Sequence, residues 1–270
     1  MKYKLLVLDI DGTLTNAQKQ ITPKTKKALI KAQQQGVKLV IASGRPTCGV
    51  LPYAKELELA QHGGYVLSYN GAKIIHCPDE EEIFSQGLPL EMLPEIYDLS
   101  ARNQVNILTY EGNAVITETP EDPYVAIEAR INGLDIRKID SFKDHVRFPV
   151  TKCLMLGDGD YLAGVEEIVR RQLGDRLNIF RSEPFFLEVM PQNIDKAYSL
   201  SILLERLGLT REEMIPCGDG FNDKSMLHFA GLGVAMANAQ EAVKKAADYI
   251  TLSNEHDGIA NVVEKFIFAH

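Results

Sequence analysis

Asp9 and Asp11 stand two residues apart, directly after the apolar run Leu5-Leu6-Val7-Leu8. An ionised carboxylate loses hydration at the rim of a core, so two of them there need a reason. Three more polar groups follow apolar segments or open helical ones: Ser43-Gly44-Arg45, Lys196, and Asp219 with Asn222-Asp223. Ligands of an open parallel sheet bind beyond the carboxyl ends of its strands. If these segments share one sheet, the four groups converge.

Convergence makes a coherent chemistry. Several carboxylates in one pocket repel, a divalent cation relieves the repulsion, and oxygen-only donors beside phosphate suit magnesium. Asp9 then serves as a nucleophile that forms an aspartyl-phosphate. Asp11, two residues on, points the same way along an extended chain. It protonates the leaving oxygen and later deprotonates the water that cleaves the acyl-phosphate. Ser43 hydrogen-bonds a phosphate oxygen, and the N–H groups of Gly44 and Arg45, at a helix start before Pro46, add to the anion site. Lys196 neutralises Asp9 and the incoming phosphate. Asp219 completes a metal site, Asp223 supports it through water, and Asn222 donates to phosphate. Phosphoryl transfer asks mainly for such positioning and charge neutralisation.

Each group alone has a plainer reading. Asp9-x-Asp11-Gly12-Thr13 has the composition of a strand-to-turn transition. As a calcium loop it fails, with its glycine at the wrong offset and Gln20 where a glutamate should bind. Ser43-Gly44-Arg45 alone is a helix cap, Lys196 alone a solvated lysine, and Gly218-Asp219-Gly220 alone a turn. Gly157-Asp158-Gly159-Asp160-Tyr161 resembles the later Gly218-Asp219 segment without its Asn-Asp pair, and reads as a strand-to-helix turn with Asp160 as N-cap. The order and placement of all four groups carry the joint reading.

The elements that must position them follow from pattern. Residues 3–8 and 37–43 read as buried parallel strands. Between them Thr22 caps a helix that begins at Pro23, carries Leu29, Ile30 and Ala32, and stops at Gly36. This is a βαβ unit. A further helix starts at Pro46, and a strand spans 65–74. From about Glu82 to Pro191 the pattern changes to a separate α+β module, with helices over 89–104 and 160–173. Its strands fall at 105–110, 114–118, 151–157, 177–181 and 185–190. The α/β pattern resumes with a helix from Asp195 to Leu207, a strand near 214–217, late strands in "GLGVAM" and "DYITLS", and a helix over 257–268. The expected architecture is α/β, a Rossmann-like parallel-sheet core formed by 1–83 and 191–270, interrupted by an inserted α+β cap over 84–190.

The net charge of −8 argues against nucleic acid or an anionic membrane as partner. No stretch approaches the roughly 20 apolar residues of a membrane helix, and the short run before Asp9 is no signal peptide. A soluble cytoplasmic protein, monomeric or a weak homo-oligomer, is expected. Cys48, Cys77, Cys153 and Cys217 form no CxxC pair and read as isolated reduced thiols. No histidine motif indicates a metal.

The ordered set resembles the haloacid dehalogenase superfamily, and within it the Cof-type phosphatases with a type 2 (C2B) cap. The resemblance rests on "DIDGTL" (9–14), "IASGRP" (41–46), "NIDKAYSL" (193–200) and "GDGFND" (218–223), with "SYNGA" (68–72), "FLEVMP" (186–191) and "GVAMANA" (233–239) in support. It implies a Rossmann-like core under a mobile cap that selects the substrate. It implies Asp9 as nucleophile and metal ligand, and Asp11 as acid/base and metal ligand through its carbonyl. Asp219 becomes the third protein ligand, with Asp223 ordering the shell of a magnesium ion. Ser43, Gly44, Lys196 and Asn222 would hold phosphate, and Gly12 and Arg45 complete the phosphate- and substrate-binding set. Arg45 either touches substrate or braces its loop. Arg130, Arg181 and Glu188 are candidate specificity residues of the cap, with ordinary salt-bridged surface as the plainer reading. Ala197 replaces the glycine usual after the lysine, and Gly220-Phe221 departs from the commoner residues of that loop. The implied substrates are small phosphorylated metabolites, sugar phosphates foremost. A phosphomutase, a phospho-signalling receiver and a catalytically dead sugar-phosphate sensor are the competing readings.

Overall fold

The computed structural model describes residues 2–269. Its first strands are β1 (Leu5–Leu8), β2 (Lys38–Ala42), β3 (Tyr65–Ser68), β4 (Lys73–His76) and β5 (Glu82–Ser85). Next come β6 (Asn106–Glu111), β7 (Ala114–Thr117), β8 (Asp135–Lys138), β9 (Cys153–Leu156), β10 (Leu177–Glu183) and β11 (Phe186–Pro191). The last are β12 (Met214–Gly218), β13 (Val234–Ala235) and β14 (Tyr249–Ile250). The chain divides into two compact units, one up to Phe84 and again from Ile194, the other Ser85–Asn193.

In the first unit the sheet runs β14-β13-β12-β1-β2-β3-β4-β5. β1 lies between β12 and β2, parallel to both, with Leu8 opposite Cys217 and Ile41. All four of its side chains are fully buried, as the absence of alternation in the sequence requires. Leu6 and Leu8 pack with Leu29, Ala32 and Val263, whereas Leu5 and Val7 pack with Leu200, Leu203 and Leu204. Helices therefore cover both faces, and the carboxyl ends of β1, β2 and β12 open together at one edge. The helix Pro23–Gln34 begins as its sequence indicates, with the Thr22 side chain accepting the Thr25 N–H.

In the second unit the sheet runs β10-β11-β9-β6-β7-β8. Only β7 and β8 pair in parallel, joined by the helix Pro123–Asn132. Helices Leu93–Arg102 and Gly159–Leu173 bury Ile96, Leu99, Leu162, Val165 and Val169 against Ile107, Met155, Leu187 and Val189.

Several expectations change. The segment 65–74 is not one strand: Tyr69, Asn70 and Gly71 all have positive φ and fold it into the β3–β4 hairpin. The N-cap of Gly159–Leu173 is Asp158 rather than Asp160, because Asp158 accepts the Asp160 and Tyr161 N–H groups. The late strands shrink to two residues each. Strands β5 and β8 and the helices Pro123–Asn132 and Phe142–His145 form without a clear mark in the sequence pattern. β8 is exposed at all four positions, so no apolar pattern marks it. Among the described residues no helix is long and apolar enough to cross a membrane.

Because β1 is packed on both faces, truncating its side chains leaves a cavity. Leu6→Ala is expected to lower unfolding free energy by about 2–5 kcal/mol, measured as a shift of the urea midpoint at constant slope. A loss below about 1 kcal/mol would contradict this packing.

Candidate active site

Lys196 is the first residue of the helix Lys196–Leu207, whose N-cap Asp195 accepts the Tyr198 N–H. Its side chain has no solvent exposure, and its Nζ lies 2.6 Å from Asp9 Oδ1 and 2.5 Å from Asp223 Oδ1. The other oxygen of Asp223 accepts the N–H groups of Asp219 at 3.0 Å and Gly220 at 2.9 Å. One ammonium therefore joins the ends of β1 and β12. Burial, with the nearby Asp223 charge, pushes the Asp9 carboxyl up to about 8, although Lys196 pulls it down. Burial alone would lower the Lys196 pKa, but the charges of Asp223 and Asp9 outweigh it and raise the ammonium above its usual value.

Asp219 stands beside this pair. Thr13 Oγ1 donates to its Oδ1 at 2.8 Å. Burial raises its carboxyl to about 6; the Thr13 bond opposes the rise and the Asp223 charge adds to it. Gly12 has φ +82°, and a Cβ there would overlap the Asp219 carboxylate. The glycine thus serves both the turn and the close approach. Asn238 Nδ2 donates to the Gly12 carbonyl at 2.8 Å. Asp9, Asp219 and Asp223 each offer a carboxylate oxygen within 4.8 Å of the others.

Asp11 lies apart from that cluster. Ile10 begins a turn and the chain is not extended from Asp9 to Asp11. The two carboxylates take different partners. Arg45 Nε and Nη2 reach Asp11 at 2.8 and 2.7 Å, and Lys19 Nζ at 2.6 Å. Burial would raise the Asp11 pKa, but the hydrogen bond and charge of Arg45, with Lys19, hold it below the usual carboxylate range. Arg45 braces Asp11 here.

Ser43 is buried just past β2, and its Oγ accepts the Arg45 N–H at 3.2 Å. That N–H, expected to join the anion site, is engaged by Ser43 instead. Gly44 abuts the Asn70 carboxamide, which a Cβ at 44 would meet at 3.1 Å. Asn222 is exposed on the loop after β12, and its Nδ2 donates to Asn70 Oδ1 at 3.0 Å.

In the second unit the three suggested specificity residues do not form one group. Arg130 is exposed on its helix. Arg181 is held by Glu166 at 2.9 Å and by the carbonyls of Gly159 and Pro184. Glu188 is buried and takes Lys152 at 3.2 Å. Sequence reasoning gave no role to Thr13, Lys19, Asn70 or Asn238. Thr13, Asn70 and Asn238 lie inside motifs already singled out, which was the available signal; nothing marked Lys19.

The eight-stranded sheet thus presents a buried, helix-borne lysine against acids at its strand ends. The chain belongs to the haloacid dehalogenase-like hydrolase family, which matches residues 6–263. It is similar to a solved haloacid dehalogenase-like hydrolase from Bacteroides thetaiotaomicron, with 52% identity and a TM-score of 0.95, covering 98% of this chain and 100% of that one. It is 32% identical to "Putative phosphatase YxeH" of Bacillus subtilis (strain 168), covering 99% of each chain. The HAD subclass IIB sugar phosphatase BT4131 superposes with a TM-score of 0.81 at 28% identity, covering 97% of this chain and 98% of that one. The protein is a phosphoric monoester hydrolase of this family.

Lys196→Met keeps the length of the side chain and leaves two buried carboxylates without their cation. Removing one partner of such a pair costs about 3–5 kcal/mol. The raised Lys196 pKa means that its contribution is fully present at neutral pH and is lost only as pH rises through the folded value. The deficit of the variant should be largest near pH 9, where Asp9 is ionised, and shrink towards pH 6, as Asp9 takes up a proton near pH 8. Denaturant curves across that range check this, and a deficit that grows on acidification would contradict it.

Proposed function

We propose that the protein is a magnesium-dependent phosphatase that hydrolyses small phosphate monoesters, sugar phosphates foremost, through an aspartyl-phosphate on Asp9. The observation that carries this is the cluster of Asp9, Asp219 and Asp223 oxygens within 4.8 Å, closed by a fully buried Lys196. The likeness to BT4131, a sugar phosphatase, supports the substrate class.

The donor set fits a hard divalent cation. It is all oxygen, and burial, with repulsion from neighbouring acids added, leaves Asp9 and Asp219 with raised pKa values that a cation would relieve. Asp9, Asp219 and the Asp11 carbonyl would hold magnesium. Asp223, whose oxygens are committed to Lys196 and loop N–H groups, would order the shell through water. Bound magnesium supplies neutralisation of charge on the phosphoryl group.

The residues then divide the work. An Asp9 oxygen bonds to phosphorus, and the bond from phosphorus to the ester oxygen breaks. Asp11 gives the leaving oxygen a proton. Asp11 next takes a proton from water, whose oxygen attacks phosphorus; phosphate departs and the Asp9 carboxylate returns. Arg45 and Lys19 favour ionised Asp11, the form that the second half uses. The negative charge of an arriving ester opposes that ionisation and favours the proton needed for the first half. Lys196 draws the Asp9 pKa down and would face phosphate, and bound magnesium would lower that pKa further; Ser43, Gly44 and Asn222 would hold the phosphate oxygens, with Gly12 admitting Asp219.

A magnesium-supplemented screen of phosphorylated metabolites, ranked by kcat/KM, tests the proposal. Activity should vanish with a chelator, return with Mg2+, favour sugar phosphates, and fall at least about 10³-fold in Asp9→Asn, the scale of losing a covalent nucleophile. Retained turnover in Asp9→Asn would remove the nucleophile assignment. Full activity in chelator would remove the metal.

A further inference from the structure

Tyr69, Asn70 and Gly71 form three consecutive residues in the left-handed region, with φ of 52°, 54° and 105°. Glycine is at ease there and asparagine tolerable, but a tyrosine is a genuine outlier. Such strain persists only where surrounding structure over-determines it, and it concentrates at functional sites.

The surroundings do over-determine it. The Tyr69 N–H donates to the Arg45 carbonyl and the Asn70 N–H to the Ser43 carbonyl, each at 2.9 Å. Ser199 Oγ donates to the Gly71 carbonyl at 2.5 Å. A Cβ on Gly71 would meet Ser199 Oγ and the Asp195 carbonyl. The turn therefore touches the Ser43–Arg45 loop and the head of the helix that bears Lys196. Its tip side chain reaches a third element: Asn70 Oδ1 accepts from Asn222 Nδ2 at 3.0 Å.

We propose that Asn70 is a positioning residue that acts through Asn222, holding the Asn222 carboxamide so that its remaining N–H faces phosphate. The inference rests on the phosphatase reading above. A primary amide nitrogen carries two N–H groups. One is spent on Asn70, which fixes the plane of the amide and the direction of the other. Asn222 sits on an exposed loop, and among the described residues its side chain has no other hydrogen bond to set that direction. The Asn70 carboxamide also lies against Gly44, so a side chain at 44 would displace it. This gives a physical reason for glycine in Ser43-Gly44-Arg45. Asn70 thereby aligns two loops contributed by distant parts of the sequence.

Asn70→Gly tests this cleanly, because glycine accepts the left-handed backbone and keeps both main-chain hydrogen bonds while deleting the carboxamide. The measurement is a double-mutant cycle with Asn222→Ala, using the best ester of the screen and inhibition by inorganic phosphate, with a melting curve to confirm folding. Asn70→Gly should lower kcat/KM about 10-fold or more, the scale of misplacing a binding group, and weaken inhibition by phosphate. In the Asn222→Ala background the same change should cost less than about twofold, because the path through Asn222 is already gone. Full additivity, or Asn70→Gly within twofold of an active wild type, would overturn the inference and leave the phosphatase reading standing. A wild type without ester turnover would overturn that reading and this inference with it.

Discussion

A lysine ammonium with no exposure, shared between two carboxylates, is the constraint on which the site depends. Burying such charges costs several kcal/mol per ion unless geometry and further hydrogen bonds offset the loss. The fold meets both conditions. β1 and β12 pair in register with Leu8 beside Cys217, which brings Asp9 level with the loop that carries Asp219 and Asp223. The second oxygen of Asp223 accepts two loop N–H groups, so no part of that carboxylate is left unmatched. The helix from Lys196 packs Leu200, Leu203 and Leu204 under β1, which fixes where its first residue points. Packing thus precedes electrostatics.

Asp9 and Asp11 show how two acids in one short motif acquire opposite characters. Asp9 is buried among other acids and shares its one cation with Asp223, and its carboxyl rises. Asp11 is bound by two cations near the surface, and its carboxyl falls. The turn at Ile10 separates them. One residue type can then serve as nucleophile and as proton carrier, because environment rather than chemistry sets each role.

Much of this is legible in the sequence. The apolar runs of β1 and β2 announce a parallel core, and Thr22-Pro23 marks a helix start by capping chemistry. The four polar groups sit at strand or helix ends, and Asp9, Lys196, Asp219 and Asp223 meet in space. What is not legible is long-range. That Arg45 takes Asp11, 34 residues away, depends on the approach of two loops. The sharp turn at Tyr69–Gly71 is hidden because tyrosine is a poor predictor of left-handed backbone. β8 escapes notice because its side chains are all exposed and parallel pairing with β7 alone defines it.

The account stands or falls on whether Asp9 itself bonds to phosphorus. Single-turnover hydrolysis in H2(18)O, with enzyme in excess, directs the labelled oxygen to whichever atom water attacks. Attack on phosphorus places the label in released phosphate and leaves the Asp9 carboxylate unlabelled. In the first turnover the bridging oxygen of the intermediate stays with Asp9. Acid quenching midway should then yield a phosphorylated peptide that contains Asp9, and hydroxylamine should release its phosphate. Labelled phosphate with no phosphorylated Asp9 peptide at any time, under conditions where another acyl-phosphate survives the quench, would mean direct attack by water and would contradict the account.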